Sequence, residues 1–165
     1  MKKFFTLLTF CCLLFSINHI NAQTQIYPSD LKILAGEKWV GKLTYLDYSS
    51  NKKTSILSDL IIEPTTDSLI WIFKNIYPKE PKANSESKSK ISRKGKIFDG
   101  EKVIERTQSN ADELKIVTTK LKDKKQYRYT YLISKDKFSI RKEEKGASDK
   151  DFFERNTYEY SRTFK

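Results

Sequence analysis

Two carboxylates lie on strand-like segments near opposite ends of the chain. Asp47 ends the apolar face of KWVGKLTYLDY (residues 38–48), and Glu154 lies near the start of the segment FFERNTYEYSR. If these segments pair in one sheet, both side chains are expected to point inward near the same end. A carboxylate pair can perform general acid–base or glycosidase chemistry. Exposed strand-end carboxylates more commonly remain solvated or pair with lysine, and we favour that interpretation.

Tyrosines form the second candidate site. Tyr127, Tyr129 and Tyr131 alternate along QYRYTYLIS and therefore share one face of a predicted strand. Such a face can stack on sugars or on aromatic ligands. Aromatic residues are also good strand formers, so a structural role is the preferred interpretation of this series.

Histidine and cysteine are confined to the beginning of the chain, at Cys11, Cys12 and His19. Beyond residue 22 the sequence therefore excludes Ser-His-Asp and Cys-His catalysis, zinc sites built from these ligands, haem ligation by histidine and disulfides. Carboxylate, tyrosine, arginine and Ser-Lys chemistry and oxygen-ligated metals remain open. We predict no cofactor, no metal site and no enzymatic activity.

The first 22 residues have the layout of a secretory signal peptide. Lys2 and Lys3 precede an uncharged apolar run over residues 4–17, and Ala22 supplies the small residue before a cleavage site. The run is shorter than the roughly 20 residues of a membrane span. We therefore predict cleavage after Ala22, a secreted or periplasmic protein without a membrane span, and one domain over residues 23–165.

The charge balance is basic but dispersed. The chain carries 32 Lys and Arg against 21 Asp and Glu, and loss of Lys2 and Lys3 leaves a net charge of +9. The densest basic stretch, KSKISRKGK (Lys88–Lys96), is interrupted by serine, isoleucine and glycine. A solvated surface explains this pattern better than nucleic-acid binding, which we exclude. An anionic envelope surface or glycan is the partner that such a charge could attract.

Two elements must position these residues: a short helix and a series of strands. We expect the helix within QTQIYPSDLKILAGEKW, with Ser29 as its N-terminal cap and Gly36 as its end. From Lys38 onward, apolar residues recur with a period of two, which is typical of strands with one buried face. Short polar segments separate these strands, including Asp99-Gly100, a strong hairpin signal, and an expected loop over Pro78–Lys88.

The pattern gives nine or ten antiparallel strands, which suit a sandwich or a barrel. We favour an all-β fold, a single up-and-down antiparallel β-barrel of 8–10 strands with a short N-terminal helix, because the last strand is long enough to pair back with the first. Alternation assigns the inward-facing set. It comprises Leu43, Tyr45, Asp47, Leu60, Ile62, Trp71, Phe73, Tyr129, Tyr131, Phe138, Ile140, Glu154, Asn156 and Tyr158.

Two further segments, LAGEKWVGKL and RNTYEYSR, carry a family resemblance. A short helix, a glycine and a tryptophan on the first strand, with an arginine near the end of the last strand, resemble the calycin superfamily of lipocalins and fatty-acid-binding proteins. W-x-G-x-L-T-Y-x-D-Y and F-x-R-N-T-Y resemble uncharacterised secreted bacterial lipocalin-like proteins. The spacing GEKW departs from the Gly-x-Trp of lipocalins. The resemblance implies that Arg162 packs over Trp39 at the closed end of the barrel, and we expect Gly41 to leave space beside the indole.

We therefore expect a non-catalytic lipocalin-like barrel that binds a small apolar or amphipathic molecule. The predicted ligand-binding residues are Tyr45, Asp47, Trp71, Tyr129, Tyr131, Asn156 and Tyr158. The alternative is a barrel with a packed interior that acts as a protein-, glycan- or envelope-binding module. The sequence does not choose between an open and a packed interior.

Overall fold

The computed structural model describes residues 24–36, 38–109 and 112–162. The predicted signal peptide lies outside these residues. The described part contains a helix, α1 (Pro28–Lys32), and two 3₁₀ turns at Pro81–Ala83 and Arg93–Gly95. The strands are β1 (Lys38–Asp47), β2 (Lys52–Pro64), β3 (Ile70–Ile76), β4 (Ser85–Ser92), β5 (Ile97–Phe98), β6 (Glu101–Ser109), β7 (Glu113–Lys122), β8 (Lys125–Ile133), β9 (Lys137–Lys145) and β10 (Phe153–Arg162).

The strands form one closed antiparallel barrel. Each strand pairs with its neighbour in sequence, and β10 closes the barrel by pairing with β1 from Trp39↔Arg162 to Tyr45↔Asn156. The predicted fold class is confirmed. We call the end at which β1 begins and β10 ends the closed end, and α1 lies there because it immediately precedes β1. Because successive strands reverse direction, the β1–β2, β7–β8 and β9–β10 connections lie at the opposite end, which we call the open end.

Two tight turns follow from backbone sterics. Asp99 and Gly100 have φ of 52° and 78°, and they join Phe98 directly to Glu101. Asp123 and Lys124 adopt φ of 51° and 62° in the corresponding turn between β7 and β8. Positive φ at both central positions is the geometry that suits a two-residue hairpin, because it matches the twist of the flanking strands.

The expected loop over Pro78–Lys88 is shorter than predicted. Its second half forms the start of β4, which pairs with β3 from Ser85↔Asn75 to Lys90↔Ile70. The SESKSK segment is polar on both faces in this part of the strand, so hydrophobic alternation gave no strand signal. Pairing with β3 supplies the backbone hydrogen bonds that stabilise it.

The helix begins earlier than predicted. Pro28 is its first residue and Tyr27 its N-terminal cap, in place of the expected Ser29. The Asp30 carboxylate accepts the Tyr27 backbone N–H at 2.8 Å and the Arg106 side chain at 2.9 and 2.7 Å. Proline suits this position because its missing N–H would have no partner inside the helix.

A β-bulge changes the inward face of β10. Glu154 lies opposite Glu143, whereas Asn156 lies opposite Lys142, so Arg155 is an extra residue in the strand. Residues directly opposite each other point to the same side of a sheet. Asn156 therefore keeps its predicted inward orientation, but Glu154 lies on the outer face, and its predicted inward position is wrong.

The packed core occupies the closed end and the middle of the barrel. Its members are deeply buried aliphatic and aromatic side chains from the helix and from the strands. Toward the open end, the inward side chains Tyr129, Ile140 and Tyr158 pack against this core while remaining partly exposed. The barrel is therefore filled at one end and accessible at the other.

Candidate ligand-binding site

Three rows of inward side chains cross the wall formed by β1, β10, β9, β8 and β7. Every side chain of the open-end row ends in a polar group. The middle row combines aliphatic side chains with tyrosines, and the closed-end row is apolar except for the Tyr160 hydroxyl. In strand order the open-end row is Tyr45, Asn156, Lys142, Tyr129 and Thr118, the middle row is Leu43, Tyr158, Ile140, Tyr131 and Ile116, and the closed-end row is Gly41, Tyr160, Phe138, Ile133 and Leu114.

Lys142 is the central side chain of the open-end row. Its ammonium lies 5.1 Å from the Tyr127 ring centroid and 5.6 Å from the Tyr129 ring centroid. Ring faces attract cations through their quadrupole. Within the described residues, Lys142 has no ion-pair partner, although ten such pairs form elsewhere. The ammonium therefore lies beside two aromatic rings and forms no direct ion pair, although its charge acts on the Glu101 carboxyl group.

A cavity of about 550 Å³ opens beside Lys142, and we call it the open-end cavity. Its lining combines aromatic rings with charged groups of both signs. The residues are Tyr48, Lys125, Tyr127, Lys142, Glu144, Phe153 and Arg155. Glu144 is buried and lies 3.3 Å from Lys125 and 3.9 Å from Arg155, so its charge is compensated by both cations.

Glu101 is a buried carboxyl group on the inner face of β6. It is 6% exposed, and its Oε2 atom accepts a hydrogen bond of 2.6 Å from the Thr118 hydroxyl. Burial raises the pKa of Glu101 to about 7, and the nearby Asp99 charge adds to this effect. Burial also raises the pKa of Tyr129 to about 12, with a contribution from the Glu101 charge. The site therefore holds a carboxyl group that titrates near neutral pH.

Trp71 supplies an unused hydrogen-bond donor. The side chain is 4% exposed, and its Nε1 atom has no hydrogen-bond partner in the part of the chain that the structure describes. Leaving a buried N–H unpaired costs about 1–3 kcal/mol. Trp71 lies opposite Ser89 and belongs to the core cluster together with Phe73. A ligand or water with an acceptor atom would relieve this cost.

Tyrosine hydroxyls form two contacts in the middle of the barrel. The hydroxyl groups of Tyr77 and Tyr158 lie 3.1 Å apart, and those of Tyr160 and Ser58 lie 3.4 Å apart. The Tyr158 and Tyr160 rings stack with centroids 5.9 Å apart. Burial raises the pKa of both Tyr158 and Tyr160, so these phenols stay protonated at neutral pH. They form a polar seam within an otherwise apolar interior.

The closed end is built around Trp39, which is fully buried. Its Nε1 atom donates to the Leu34 carbonyl at 2.9 Å. The Arg162 guanidinium lies 4.5 Å from the indole centroid and donates to the Ile33 carbonyl. This is the arrangement that the calycin resemblance implies. It anchors the helix to both the first and the last strand.

Gly41 is required by the backbone of β10 rather than by the tryptophan. A Cβ atom at this position would lie 2.0 Å from the Glu159 carbonyl oxygen and 2.8 Å from the Tyr160 ring. The expected free space beside Trp39 is therefore occupied by the neighbouring strand. Close approach of two backbones is one of the reasons why glycine occurs within strands.

The two predicted carboxylates do not meet. The Asp47 carboxylate accepts hydrogen bonds from the Ser49 backbone and from the Ser49 and Ser50 hydroxyls within the β1–β2 turn. These bonds lower the pKa of Asp47. Glu154 instead pairs with Lys53 at 2.8 Å on the outer face. Both carboxylates therefore serve local structural contacts and do not form a common site.

Five of the predicted ligand-binding residues fall into two groups. Tyr45, Tyr129 and Asn156 belong to the partly exposed open-end row, and Tyr45 and Asn156 also line a second cavity of about 280 Å³. Tyr131 and Tyr158 lie deeper, where the Tyr131 ring packs edge-on against Phe98 at 5.5 Å. The structure thus brings these residues to one side of the interior.

Three residues of the site were missing from the sequence prediction. Glu101 directly follows the predicted Asp99-Gly100 turn, and it alternates with the inward Val103. Thr118 and Lys142 are absent from the predicted inward-facing set. Alternation from Phe138 and Ile140 would have placed Lys142 inward, and this was the available signal.

Two general features complete the description of the site. No group of three or more His, Cys, Asp or Glu residues suited to a metal ion occurs within residues 24–36, 38–109 and 112–162. None of the helices formed by these residues has the length and hydrophobicity needed to cross a membrane.

Fold and site together define a closed ten-stranded antiparallel barrel with a lined cavity at its open end. No family model matches the sequence, and no curated protein matches it. Among solved structures, Rv2717c from M. tuberculosis is similar over 82% of this chain and 96% of its own, with 9% identity and a TM-score of 0.48. A protein of unknown function of the DUF3598 family from Nostoc punctiforme is similar over 86% of this chain and 51% of its own, with 11% identity and a TM-score of 0.46. Likenesses at this level identify neither a family nor a function.

Proposed function

We propose that the barrel binds a small amphipathic molecule without catalysing a reaction on it. The observation that carries this proposal is Lys142, whose ammonium lies near two tyrosine rings at the open end and forms no direct ion pair with a carboxylate among the described residues. An anionic head group would compensate this charge. A lysine that is partly desolvated gains more from such a pair than a surface lysine does.

The apolar part of the molecule would lie below Lys142. The middle row offers Tyr131, Ile140 and Leu43, and the unpaired Trp71 indole N–H adds one directional donor. An apolar wall with a few polar groups that fix orientation is typical of small-molecule sites. An anionic head group bound nearby would raise the pKa of Glu101 further, because like charges repel in a buried site, and Glu101 would stay protonated.

The positions of the Asp47 and Glu154 carboxylates support binding without catalysis. Asp47 is bonded within its turn and Glu154 is paired on the outer face, so they cannot act as a catalytic pair in this arrangement. We also propose that the protein acts as a secreted or periplasmic molecule after loss of residues 1–22. N-terminal sequencing of the protein recovered from its own cells tests this, and a start at Gln23 is expected.

Calorimetric titration of residues 23–165 with three amphiphiles of equal chain length tests the binding proposal. The probes are dodecanoate, dodecanol and dodecyltrimethylammonium. We expect dodecanoate to bind most tightly and the cation most weakly. Lys142→Gln should weaken dodecanoate binding roughly tenfold and leave dodecanol binding unchanged, which corresponds to the loss of one charge-assisted contact of about 1.4 kcal/mol.

Lys137→Gln is the matched control, because Lys137 lies on the same strand with its side chain on the outer face opposite Ser161. It should bind all three probes as the wild type does. Equal losses for Lys142→Gln and Lys137→Gln would contradict a specific role for Lys142. Absence of binding for all three probes would contradict the proposal itself.

A second candidate function is supported by an outer groove of about 620 Å³ that extends from β2 across β1, β10, β9 and β8 to the start of β7. Val40 and Leu57 line this groove and are exposed apolar residues. A barrel that binds none of the amphiphiles would use such a surface to bind a protein or a glycan. Native mass spectrometry of the protein from its own compartment separates the two functions, since only the first predicts a co-purified small molecule.

A further inference from the structure

Three hairpins at the open end expose large apolar side chains. Leu121 in the β7–β8 hairpin is 77% exposed, Tyr48 after β1 is 57% exposed and Phe153 at the start of β10 is 40% exposed. Tyr48, Phe153 and Lys125 line the open-end cavity together, and Leu121 lies opposite Gln126, next to Lys125. The three side chains therefore belong to one rim, which we call the open-end rim.

Lysines surround these apolar tips. The two hairpin segments 120–126 and 145–151 hold six lysines against three aspartates. One of these acids, Asp149, accepts the Gly146 backbone N–H at 2.7 Å and so serves its own turn. The lysines of the rim are Lys120, Lys122, Lys124, Lys125, Lys145 and Lys150.

We propose that the open-end rim docks on the surface of a bilayer that contains anionic, phosphate-bearing lipids. Apolar tips flanked by lysines suit this partner, because the tips enter the interface while the ammonium groups contact the head groups. This surface adjoins the open-end cavity, with which it shares Tyr48 and Phe153. Its docking does not depend on whether the barrel binds an amphiphile.

The shape and charge of the rim favour a bilayer over other partners. Its apolar side chains stand on separate hairpin tips rather than on one flat face, so they offer little continuous area for a protein interface. A second copy of the chain would bring the same excess of lysine against itself, and like charges oppose that contact. A lipid surface can take up separate apolar side chains, and its anionic head groups complement the charge of the lysines.

Docking in this orientation determines which way the mouth of the open-end cavity faces. Tyr48 and Phe153 belong both to the rim and to the lining of that cavity. The cavity mouth would therefore face the bilayer, whereas α1 and the Trp39–Arg162 contact at the closed end would face away from it.

Co-sedimentation with vesicles tests the proposal. Residues 23–165 are the chain to use, because the helix and the complete barrel lie within 24–162 and the apolar run of residues 4–17 would bind vesicles by itself. Phosphatidylcholine vesicles are compared with vesicles that also contain phosphatidylglycerol. We expect binding to the anionic vesicles, weakened by added salt, and no binding to the neutral ones.

Two double variants locate the contact. Lys122→Gln with Lys124→Gln should lower the vesicle partition constant roughly tenfold. Arg93→Gln with Lys94→Gln removes the same charge at the closed end and should leave it unchanged. All four side chains are exposed, and positive φ occurs at Lys124 in the first pair and at both residues of the second.

A third variant tests the apolar tip. Leu121→Ser should weaken binding to the anionic vesicles, whereas Leu57→Ser, on the outer wall away from the rim, should not. Equal weakening by the two charge variants would show nonspecific attraction and overturn the proposal. Absence of vesicle binding, or a dimer that Leu121→Ser dissociates, would overturn it as well.

Discussion

The Thr118 hydroxyl donates a hydrogen bond of 2.6 Å to the Glu101 carboxyl group inside the barrel, where both side chains are almost fully buried. This contact is the only direct bond that the described residues give to Glu101, and it does not neutralise a charge. Burial therefore dominates, and the pKa of Glu101 rises to about 7 from the ordinary 4.5. A chain without histidine beyond residue 22 thus contains one side chain that titrates near neutral pH.

Glu101 makes the stability of the barrel depend on pH. The folded state keeps Glu101 protonated up to about pH 7, whereas the unfolded chain ionises it near its ordinary pKa. The folded state binds more protons in this window, so the free energy of unfolding falls as pH rises through it. We expect a loss of about 1–3 kcal/mol between about pH 5 and about pH 8, measured by urea unfolding.

Glu101→Gln should remove most of this dependence, because glutamine keeps the shape and the Thr118 contact without a charge. The charged and titratable neighbours of Glu101 are Asp99, Lys120, Lys142, Tyr129 and Tyr131, and they remain in the variant. Equal pH slopes for the wild type and Glu101→Gln would show that another group is responsible.

Gly41→Ala should destabilise the barrel by about 2–3 kcal/mol. The added Cβ would meet the Glu159 carbonyl oxygen at 2.0 Å, and this backbone atom cannot move without disturbing the β1–β10 pairing. Gly146→Ala is the control, because its nearest contact is the Asp149 side chain, which can rotate away. Chemical unfolding measures both. Similar small losses in the two variants would contradict the close approach of β1 and β10.

Arg162→Met should cost about 1–3 kcal/mol of unfolding free energy, because it removes the cation–π contact with Trp39 and the bond to the Ile33 carbonyl. In a Trp39→Leu background the cost should shrink. Arg155→Met removes a contact of 3.8 Å with the Tyr48 ring and the more distant of the two cations near Glu144, while Lys125 stays, so it should cost less than Arg162→Met. An unchanged cost for Arg162→Met in the Trp39→Leu background would mean that the guanidinium acts through contacts other than the indole.

Asp30→Asn should destabilise the closed end by about 2 kcal/mol, because it weakens the charge-assisted bonds between the buried Asp30 and the partly exposed Arg106. Asp30 accepts two bonds from Arg106 and caps the helix through the Tyr27 N–H. Relative to the wild type, amide hydrogen exchange in Asp30→Asn should accelerate more in α1 than at the open end. Glu159→Gln serves as the comparison, since its pair with Lys42 is exposed and should contribute little. Equal losses of stability in Asp30→Asn and Glu159→Gln would contradict the role assigned to Asp30.

Local features of the sequence predicted the strands and several turns. Alternation over residues 38–47 and 125–133 is a property of each segment alone, because side chains of one strand alternate between faces whatever the neighbours are. Asp99-Gly100 likewise specifies its turn through the φ values that the two residues tolerate. The helix cap was misplaced because Asp30 caps from within the helix, with Arg106 as a distant partner.

The sequence by itself determined the fold class, since strand periodicity and a long final strand suffice for a closed antiparallel barrel. Only the tertiary structure decided which side chains meet. The bulge at Arg155 turned Glu154 outward, and the register of β7, β8 and β9 placed Thr118, Tyr129 and Lys142 in one row. Alternation specifies a face, but register and bulges depend on pairing between strands that are distant in sequence. The candidate site, unlike the fold, is made of those pairings.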